Sequence, residues 1–346
     1  MIYGATGYTG GLIAEWARQH ALRPVLGGRD AMRLGALAER LGLEQRVAAL
    51  SDPERLREAL RGIRVVLHAA GPFSQTSRPM VEACLHAGAH YLDISAEVDA
   101  IEALVQRDAE ARGRGIMIMP GVGFDVVPSD CLAAHVAGRL RKPRRLALGI
   151  RGLTFATRGS AKTLAEYAGR DVKVRRNGTI IGVPPGSLER SFDFGDGARA
   201  SLGVGWGDVS SAYFTTGVPD VEVYFEATPV MRGMLTASRY FGGVLRTGPW
   251  QAMLQTWADL LSDGPSEEQR AMVGTVIVAE AEGPSGQRAC ARLRAPEAYT
   301  VASMTAPTIA ARVLTGDLEV GFQTPARVYG ANFVLGLPGI SREDVE

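Results

Sequence analysis

The chain has 346 residues, 46% hydrophobic and 22% charged, enough apolar surface for two folded cores and too much for a disordered polypeptide. A formal net charge of +1, with no basic run longer than Arg141-Lys142 followed by Arg144-Arg145, excludes the overall electrostatic footprint of a nucleic-acid or anionic-membrane binder and makes small-molecule chemistry the default. Three scattered cysteines (Cys84, Cys131 and Cys290) and histidines without a His-Glu-x-x-His pattern exclude a disulfide framework and the common zinc motifs, so a reducing, cytoplasmic setting and no metal are expected.

Three residues, Met1, Ile2 and Tyr3, precede the first glycine. They leave no room for a signal peptide, and they imply either a short first strand or a natural start further upstream. Short apolar runs at 1–3, 24–26, 46–50, 65–70, 90–94 and 115–119 alternate with helical periodicity at 9–20, 31–41, 53–60, 78–87 and 98–112. That is the βαβ signature of a parallel sheet covered on both faces. Beyond Pro120 the pattern changes. Residues 144–226 read mostly as strands and turns, with Asn177-Gly178 and Gly195-Asp196-Gly197 as hairpin connections. Helices follow at 229–246 and 250–261, strands at 272–281 and 288–294, a last helix near 299–314, and an irregular tail. The fold class expected is α/β: a Rossmann-type doubly wound parallel sheet at 1–127, followed by a mixed α/β substrate domain at 128–346, with 299–346 a candidate to pack back on the first. No apolar run approaches the ~20 residues of a bilayer span, so no membrane insertion is expected.

Gly4-Ala5-Thr6-Gly7-Tyr8-Thr9-Gly10 follows the first strand and opens the first helix. Glycines there permit a tight turn and close approach to a pyrophosphate, and the helix N-terminus supplies N–H donors. The second strand ends at Gly27-Gly28-Arg29, where an NAD enzyme would carry an acid for the ribose 2′-hydroxyl. A guanidinium suits a 2′-phosphate instead, so NADP(H) is the cofactor expected, with Asp30 capping the next helix. Asp52, after the third strand, suits either an adenine contact or a helix cap. Ala69-Ala70-Gly71-Pro72-Phe73, after the fourth strand, and Gly123, after the sixth, fall where the nicotinamide half would sit. None of the nine tyrosines has a lysine four residues later, which excludes the catalytic pair of short-chain dehydrogenases.

The segments GATGYTG (4–10), GGR (27–29), AAGPF (69–73), HYLDISAE (90–97), PGVGFDVVPSD (120–130), GSAKTLAE (159–166), GPSEEQR (264–270) and TPARVYGANFVLGLPG (324–339) together resemble the saccharopine dehydrogenase-like NADP-binding proteins, which include trans-acting enoyl reductases. The resemblance spans nearly the whole chain and implies a Rossmann domain, a mixed α/β substrate domain and NADP(H). The chain departs from it at Ser95-Ala96-Glu97, where many relatives read Thr-Gly-Glu. It also lacks an obvious set of arginines and acids for a dicarboxylic amino acid.

A reductase needs a hydride source set against the acceptor and a proton donor. Asp125, in the segment after the sixth strand, is one candidate donor and requires burial to hold a proton at neutral pH. Lys162, one of three lysines (Lys142, Lys162, Lys173), is the other. Asp130 reads as a cap, with Ser129, for a helix at 131–140. The leading reading is an NADPH-dependent reductase of a C=C, C=N or C=O bond in a small, mainly apolar metabolite or acyl chain. The alternatives are a catalytically silent NADP(H)-binding sensor or scaffold and a secondary-amine dehydrogenase. An apolar stripe within 229–261, including Met234 and Trp257, reads as core, a homodimer face or a roof over a hydrophobic substrate. Arg232, Arg239 and Arg246 form a separate line beside it.

Overall fold

The computed structural model describes residues 1–261 and 263–345. Its elements in chain order are β1 (Ile2–Tyr3), α1 (Tyr8–Gln19), β2 (Leu26–Gly28), α2 (Ala31–Leu41), β3 (Gln45–Val47), α3 (Pro53–Ala59), β4 (Val65–His68), α4 (Phe73–Ala87), β5 (His90–Asp93), α5 (Val98–Val105), α6 (Asp108–Arg114) and β6 (Met117–Met119). Then come α7 (Val127–Gly138), β7 (Arg145–Arg151), α8 (Arg158–Tyr167), β8 (Val172–Arg176), β9 (Thr179–Val183), β10 (Glu189–Asp193), β11 (Ala198–Val204), α9 (Asp208–Thr216), β12 (Asp220–Glu226), α10 (Pro229–Leu245), α11 (Gly248–Asp259) and α12 (Glu267–Ala271). The chain ends with β13 (Gly274–Glu282), β14 (Arg288–Pro296), α13 (Ala298–Leu314), β15 (Gly321–Phe322), α14 (Pro325–Tyr329) and β16 (Ser341–Val345). It divides into two compact units: Met1–Val127 with Tyr299–Val328, and Pro128–Ala298 with Tyr329–Glu346.

The first unit is a seven-stranded sheet in the order β15-β6-β5-β4-β1-β2-β3, every pairing parallel. β1, β2, β4 and β6 are buried throughout, as strands covered on both faces must be, whereas the edge strand β3 is largely exposed. The chain winds outward in both directions from the β1/β4 pair, so the loops after these strands flank the topological switch point.

Three expected helices differ in detail. The stretch read as one helix at 98–112 breaks at Gln106-Arg107 into α5 and α6, and the Asp108 carboxylate in the first turn of α6 accepts from the Phe322 N–H of β15 at 2.7 Å. α4 starts at Phe73 rather than 78. Its first amides are capped by a side chain distant in sequence, and Pro79 sits inside the helix where local reading sees a start. Asp130 lies within the first turn of α7, which begins at Val127, and its buried carboxylate accepts from Thr215 Oγ1 at 2.6 Å instead of capping the helix.

The second unit is a mixed sheet of nine strands with the central order β10-β11-β12-β7-β13-β14-β16, and β8 pairs with both β12 and β9. Only the β12–β7 pairing is parallel among those described. Asn177-Gly178 closes the β8–β9 hairpin with both residues at positive φ, 48° and 77°, the geometry that favours this dipeptide. Gly195-Asp196-Gly197 turns β10 into β11. The core gathers Ala147, Phe192, Phe194, Tyr224 and Val278. Phe192 lies on bare backbone at Gly149, where a Cβ would sit 2.6 Å from the ring.

The region read as strands at 144–226 also holds two helices. Thr157 caps α8 by accepting from Ser160 N at 3.2 Å, and α9 buries Asp208, Ser210 and Ser211, so its apolar periodicity is weak. The tail read as irregular supplies two strands, β15 and β16. The stripe on α10 and α11 is not core: Val230, Met234, Phe241, Trp250, Met253 and Trp257 are exposed.

Candidate active site

In the first unit all seven strands run the same way, so the loops after β1, β2, β4, β5 and β6 share the carboxyl edge of the sheet. The glycine loop after β1 is pinned by Gly4 N and Ala5 N, which donate to Gly27 O at 2.9 and 3.3 Å. Gly4 has φ +85°, and a Cβ on it would lie 2.7 Å from Ala70 N; a Cβ on Gly10 would lie 2.2 Å from Gly4 O. Neither position tolerates a side chain without moving backbone, so the loops carrying Ala5–Thr9 and Ala70–Phe73 are held together across the switch point. Gly7 occupies the N-cap of α1 and brings no side-chain acceptor to the helix N-terminus. That is the place a pyrophosphate takes in dinucleotide folds.

Arg29 lies immediately past β2 and is exposed. Asp30 caps α2 by accepting from Arg33 N at 3.0 Å, and the Arg33 guanidinium donates to Thr6 O at 3.3 Å. Sequence reasoning did not single out Arg33, although its spacing of four from Arg29 across a helix cap was visible. Asp52 caps α3, accepting from Arg55 N at 3.1 Å, and pairs with the Arg55 guanidinium at 3.3 Å.

After β4, Thr76 Oγ1 donates to Ala70 O at 2.6 Å and fixes the turn through Gly71 and Pro72. The ring of Phe73 is buried edge-on against His68, 5.5 Å between centroids, and lies under the loop beside Gly71, where a Cβ would sit 3.6 Å from the ring. The Phe73 and Ser74 amides donate to Glu97 Oε1 and Oε2 at 2.8 and 2.7 Å, so one buried carboxylate caps α4 from the loop after β5. Asp93 at the end of β5 ties its neighbours in the same way. It accepts from Tyr91 OH at 2.8 Å, Ser95 N at 2.8 Å and Gly121 N at 3.1 Å, joining the loops after β5 and β6. Burial raises its carboxyl to about 6 against the lowering by these donors. His68 is buried beneath the loops with neither ring nitrogen hydrogen-bonded; burial lowers it to about 3, so it is a neutral packing group between Tyr3 and Phe73. Asp93, Glu97 and His68 escaped sequence reasoning as functional candidates, yet each lies at or just past the end of an apolar parallel strand, a signal that could have marked them.

In the loop after β6, Gly121 has φ +69°, and a Cβ on it would strike Val126 at 2.5 Å. Gly123 packs on Ile94 and on Ala302 of α13, where a Cβ would approach to 3.3 and 3.5 Å. Between them and α7 stands Asp125, half-buried, its carboxyl raised by burial to about 7. Tyr8 of the glycine loop meets Tyr299 of α13 edge to face at 5.2 Å. Lys162 belongs to the second unit, on α8, where its carbonyl accepts from Gln255 Nε2 at 3.2 Å.

The bare glycine turn, the uncapped α1 N-terminus and the two arginines beyond β2 fit a phosphorylated dinucleotide. Residues 1–119, about a third of the chain, match the family model of the saccharopine dehydrogenase NADP-binding domain. This segment is an NADP-binding domain. Among individual proteins, the chain is 32% identical over 150 residues to a trans-acting enoyl reductase of Mycobacterium ulcerans, covering 40% of this chain and 35% of that one. It is 27% identical over 150 residues to the saccharopine dehydrogenase-like oxidoreductase of Homo sapiens, covering 38% and 35%. The matches thus span about a third of the length of these curated relatives. Across the whole chain the fold is similar to saccharopine dehydrogenase (L-Glu forming) from Saccharomyces cerevisiae, with a TM-score of 0.65 at 12% identity, covering 100% and 99%.

Proposed function

We propose that this chain is an NADPH-dependent reductase of a polarised C=C bond in a mainly apolar acyl chain or metabolite. The observation that carries this reading is one sheet edge with a dinucleotide loop and, in the loop after β6, a carboxyl that holds its proton near neutral pH. The likeness to trans-acting enoyl reductases favours C=C over C=N or C=O.

When bound, NADPH supplies a hydride to the electron-poor carbon. Gly4, Gly7 and Gly10, with Ala5, Thr6, Tyr8 and Thr9, would cradle the pyrophosphate, and Arg29 and Arg33 would meet the 2′-phosphate. Ala70, Gly71 and Pro72 would leave room for the nicotinamide half, with Phe73 supporting that loop from within, while Gly123 would contribute by letting the loop after β6 pack closely on Ile94 and Ala302. Asp125 gives its carboxyl proton to the carbon left electron-rich, completing addition of one hydride and one proton across the double bond. Lys162 is the second candidate donor.

The test measures NADPH consumption with a panel of enoyl thioesters, enones, imines and ketones, with saccharopine and NADP+ in the reverse direction. Turnover should appear with the enoyl compounds, fall as pH rises above about 7, and drop about a hundredfold in Asp125→Asn while NADPH affinity holds. Full activity in Asp125→Asn would remove Asp125 from the chemistry, and a hundredfold loss in Lys162→Ala alone would assign the proton to Lys162. No turnover with any acceptor, together with tight NADPH binding, would return the chain to a silent sensor.

A further inference from the structure

Helix α11 is inside out. The glutamines at 251 and 255 face the protein, Gln251 Nε2 donating to Leu245 O at 2.8 Å and Gln255 Nε2 to Lys162 O at 3.2 Å, with Ala258 buried on the same side. Trp250, Met253 and Trp257, at helical spacing on the other side, are exposed, Trp257 by 59%. α10 repeats the arrangement on a larger scale. Among its described residues only Gly242 is buried, against Gly169, where a Cβ on either glycine would lie 2.7 Å from the other's carbonyl oxygen. Met234, Tyr240 and Phe241 point outward, Tyr240 by 73% and Phe241 by 63%.

Soluble domains seldom leave such a patch uncovered. Its composition says what covers it. From Ala227 to Ala258 there is no acidic residue and no lysine, but there are three arginines, Arg232, Arg239 and Arg246, so this segment alone carries a positive charge that the whole chain, at +1, conceals. The arginines recur every seven residues along α10, which kinks at Phe241, and all three are exposed; Arg232 pairs with Glu189 at 2.7 Å, Arg239 lies over the Tyr240 ring at 5.9 Å, and neither Arg239 nor Arg246 is paired with a carboxylate among the described residues. Exposed tryptophan, tyrosine and phenylalanine flanked by arginines is the pattern of a helix lying in a headgroup layer. Among the described residues no helix is long and apolar enough to cross a membrane, so the contact is with a surface.

We infer that the α10–α11 face of the second unit docks on an anionic phospholipid surface, with its aromatic and methionine side chains in the acyl boundary and Arg239 and Arg246 reaching headgroup phosphates.

The experiment is cosedimentation of the full chain with vesicles of phosphatidylcholine alone and of phosphatidylcholine with about a third phosphatidylglycerol, at low and high salt. The expected result is pelleting with the anionic vesicles, release by salt, and little pelleting with the neutral ones. A basic side chain near an anionic surface is worth roughly a factor of five, so Arg239→Gln/Arg246→Gln should weaken binding about twentyfold. Trp250→Ala/Trp257→Ala should abolish the tryptophan blue shift on binding while NADPH affinity, the control for folding, stays unchanged. A protein left in the supernatant with both vesicles overturns the inference, and the wild-type salt and lipid arms decide it even if a variant misfolds. Equal binding to neutral vesicles also overturns it. So does a dimer that falls to monomer in Trp257→Ala without binding vesicles, which would give the face to a second copy of the chain.

Discussion

Two groups of carboxylates, one in each unit, are held in opposite ways. In the first, Asp93 and Glu97 are buried and satisfied by backbone amides and a tyrosine hydroxyl, and burial pushes Asp93 and Asp125 upward, to about 6 and about 7. In the second, carboxylates meet guanidiniums on the sheet: Glu222 with Arg176, Glu280 with Arg190, Glu343 with Arg292, Asp196 with Arg151 and Arg199. There the arginines hold Asp196 and Glu343 below the usual carboxylate range. A carboxyl raised by burial has a proton to give near neutral pH, whereas one lowered by an arginine is a fixed charge. The first arrangement suits chemistry and the second a scaffold.

The amide-held carboxylates are where this contrast breaks most visibly. Glu97→Ala leaves the buried Phe73 amide and its neighbour Ser74 without their acceptor, and hydrogen bonds to a charged group are worth about 1.5–3 kcal/mol each. The expected loss is about 3–6 kcal/mol in denaturant unfolding, with Glu97→Gln retaining part of the stability. A loss under about 1 kcal/mol would mean that α4 needs no cap from β5.

Next in size is Arg29, which has no carboxylate partner among the described residues, unlike the arginines on the second sheet. Removing it should weaken NADPH binding by about 1.5–3 kcal/mol and leave NADH binding nearly unchanged. Titration of Arg29→Ala with both cofactors measures this. Equal affinity of the wild type for the two would withdraw the 2′-phosphate from Arg29 and Arg33.

The pH dependence of stability sharpens the contrast further. Asp125 is raised above its unfolded value of 3.8, so its contribution is full below about pH 4 and is lost as pH rises through about 7. His68, lowered to about 3, acts in the opposite sense as pH falls below about 6.5, so the quantity to follow is the difference between wild type and Asp125→Asn. The wild type should lose ground to the variant by up to about 1.4 kcal/mol per pH unit between pH 4 and 7. A pH-independent difference would mean that Asp125 titrates as an ordinary surface carboxylate.

Much of the first unit was legible because its signals are local. The helix at 31–41 coincides with α2, the Asp30 cap is as expected, and each glycine of the loop after β1 meets a backbone constraint. What was not legible depended on contacts distant in sequence. The first amides of α4 are capped by Glu97, Asp108 of α6 is bonded to Phe322 of β15, 214 positions away, and Asp130 is engaged by Thr215, 85 positions away. In the second unit, α9 buries serines and an aspartate, so its helical period carries little hydrophobic signal. The stripe on α10 and α11 has a faultless helical period, but periodicity reports that a face is apolar and not which way it points. Net charge is likewise an average, since +1 over the whole chain includes a segment, 227–258, with three arginines and no acid.

The smallest effect is expected at Asp196, and it is the control that makes the comparison quantitative. Its carboxylate accepts from Arg151 Nη1 at 2.7 Å and Arg199 Nη2 at 3.0 Å, and these partners hold it at about 2. On geometry alone it is as well bonded as Glu97. The difference is solvent: Asp196 lies in the exposed turn between β10 and β11, where water screens the ions and competes for their hydrogen bonds. Because its folded value is depressed, whatever it contributes is present above its ordinary value near 3.8 and is lost as pH falls towards about 2. Asp196→Asn should therefore leave the melting temperature at neutral pH within about 2 °C of wild type and only flatten the acid limb below about pH 4. A shift as large as that of Glu97→Ala would show that ion pairs on the second sheet bear as much of the fold as the buried amide caps do in the first, and the division between chemistry and scaffold would fail.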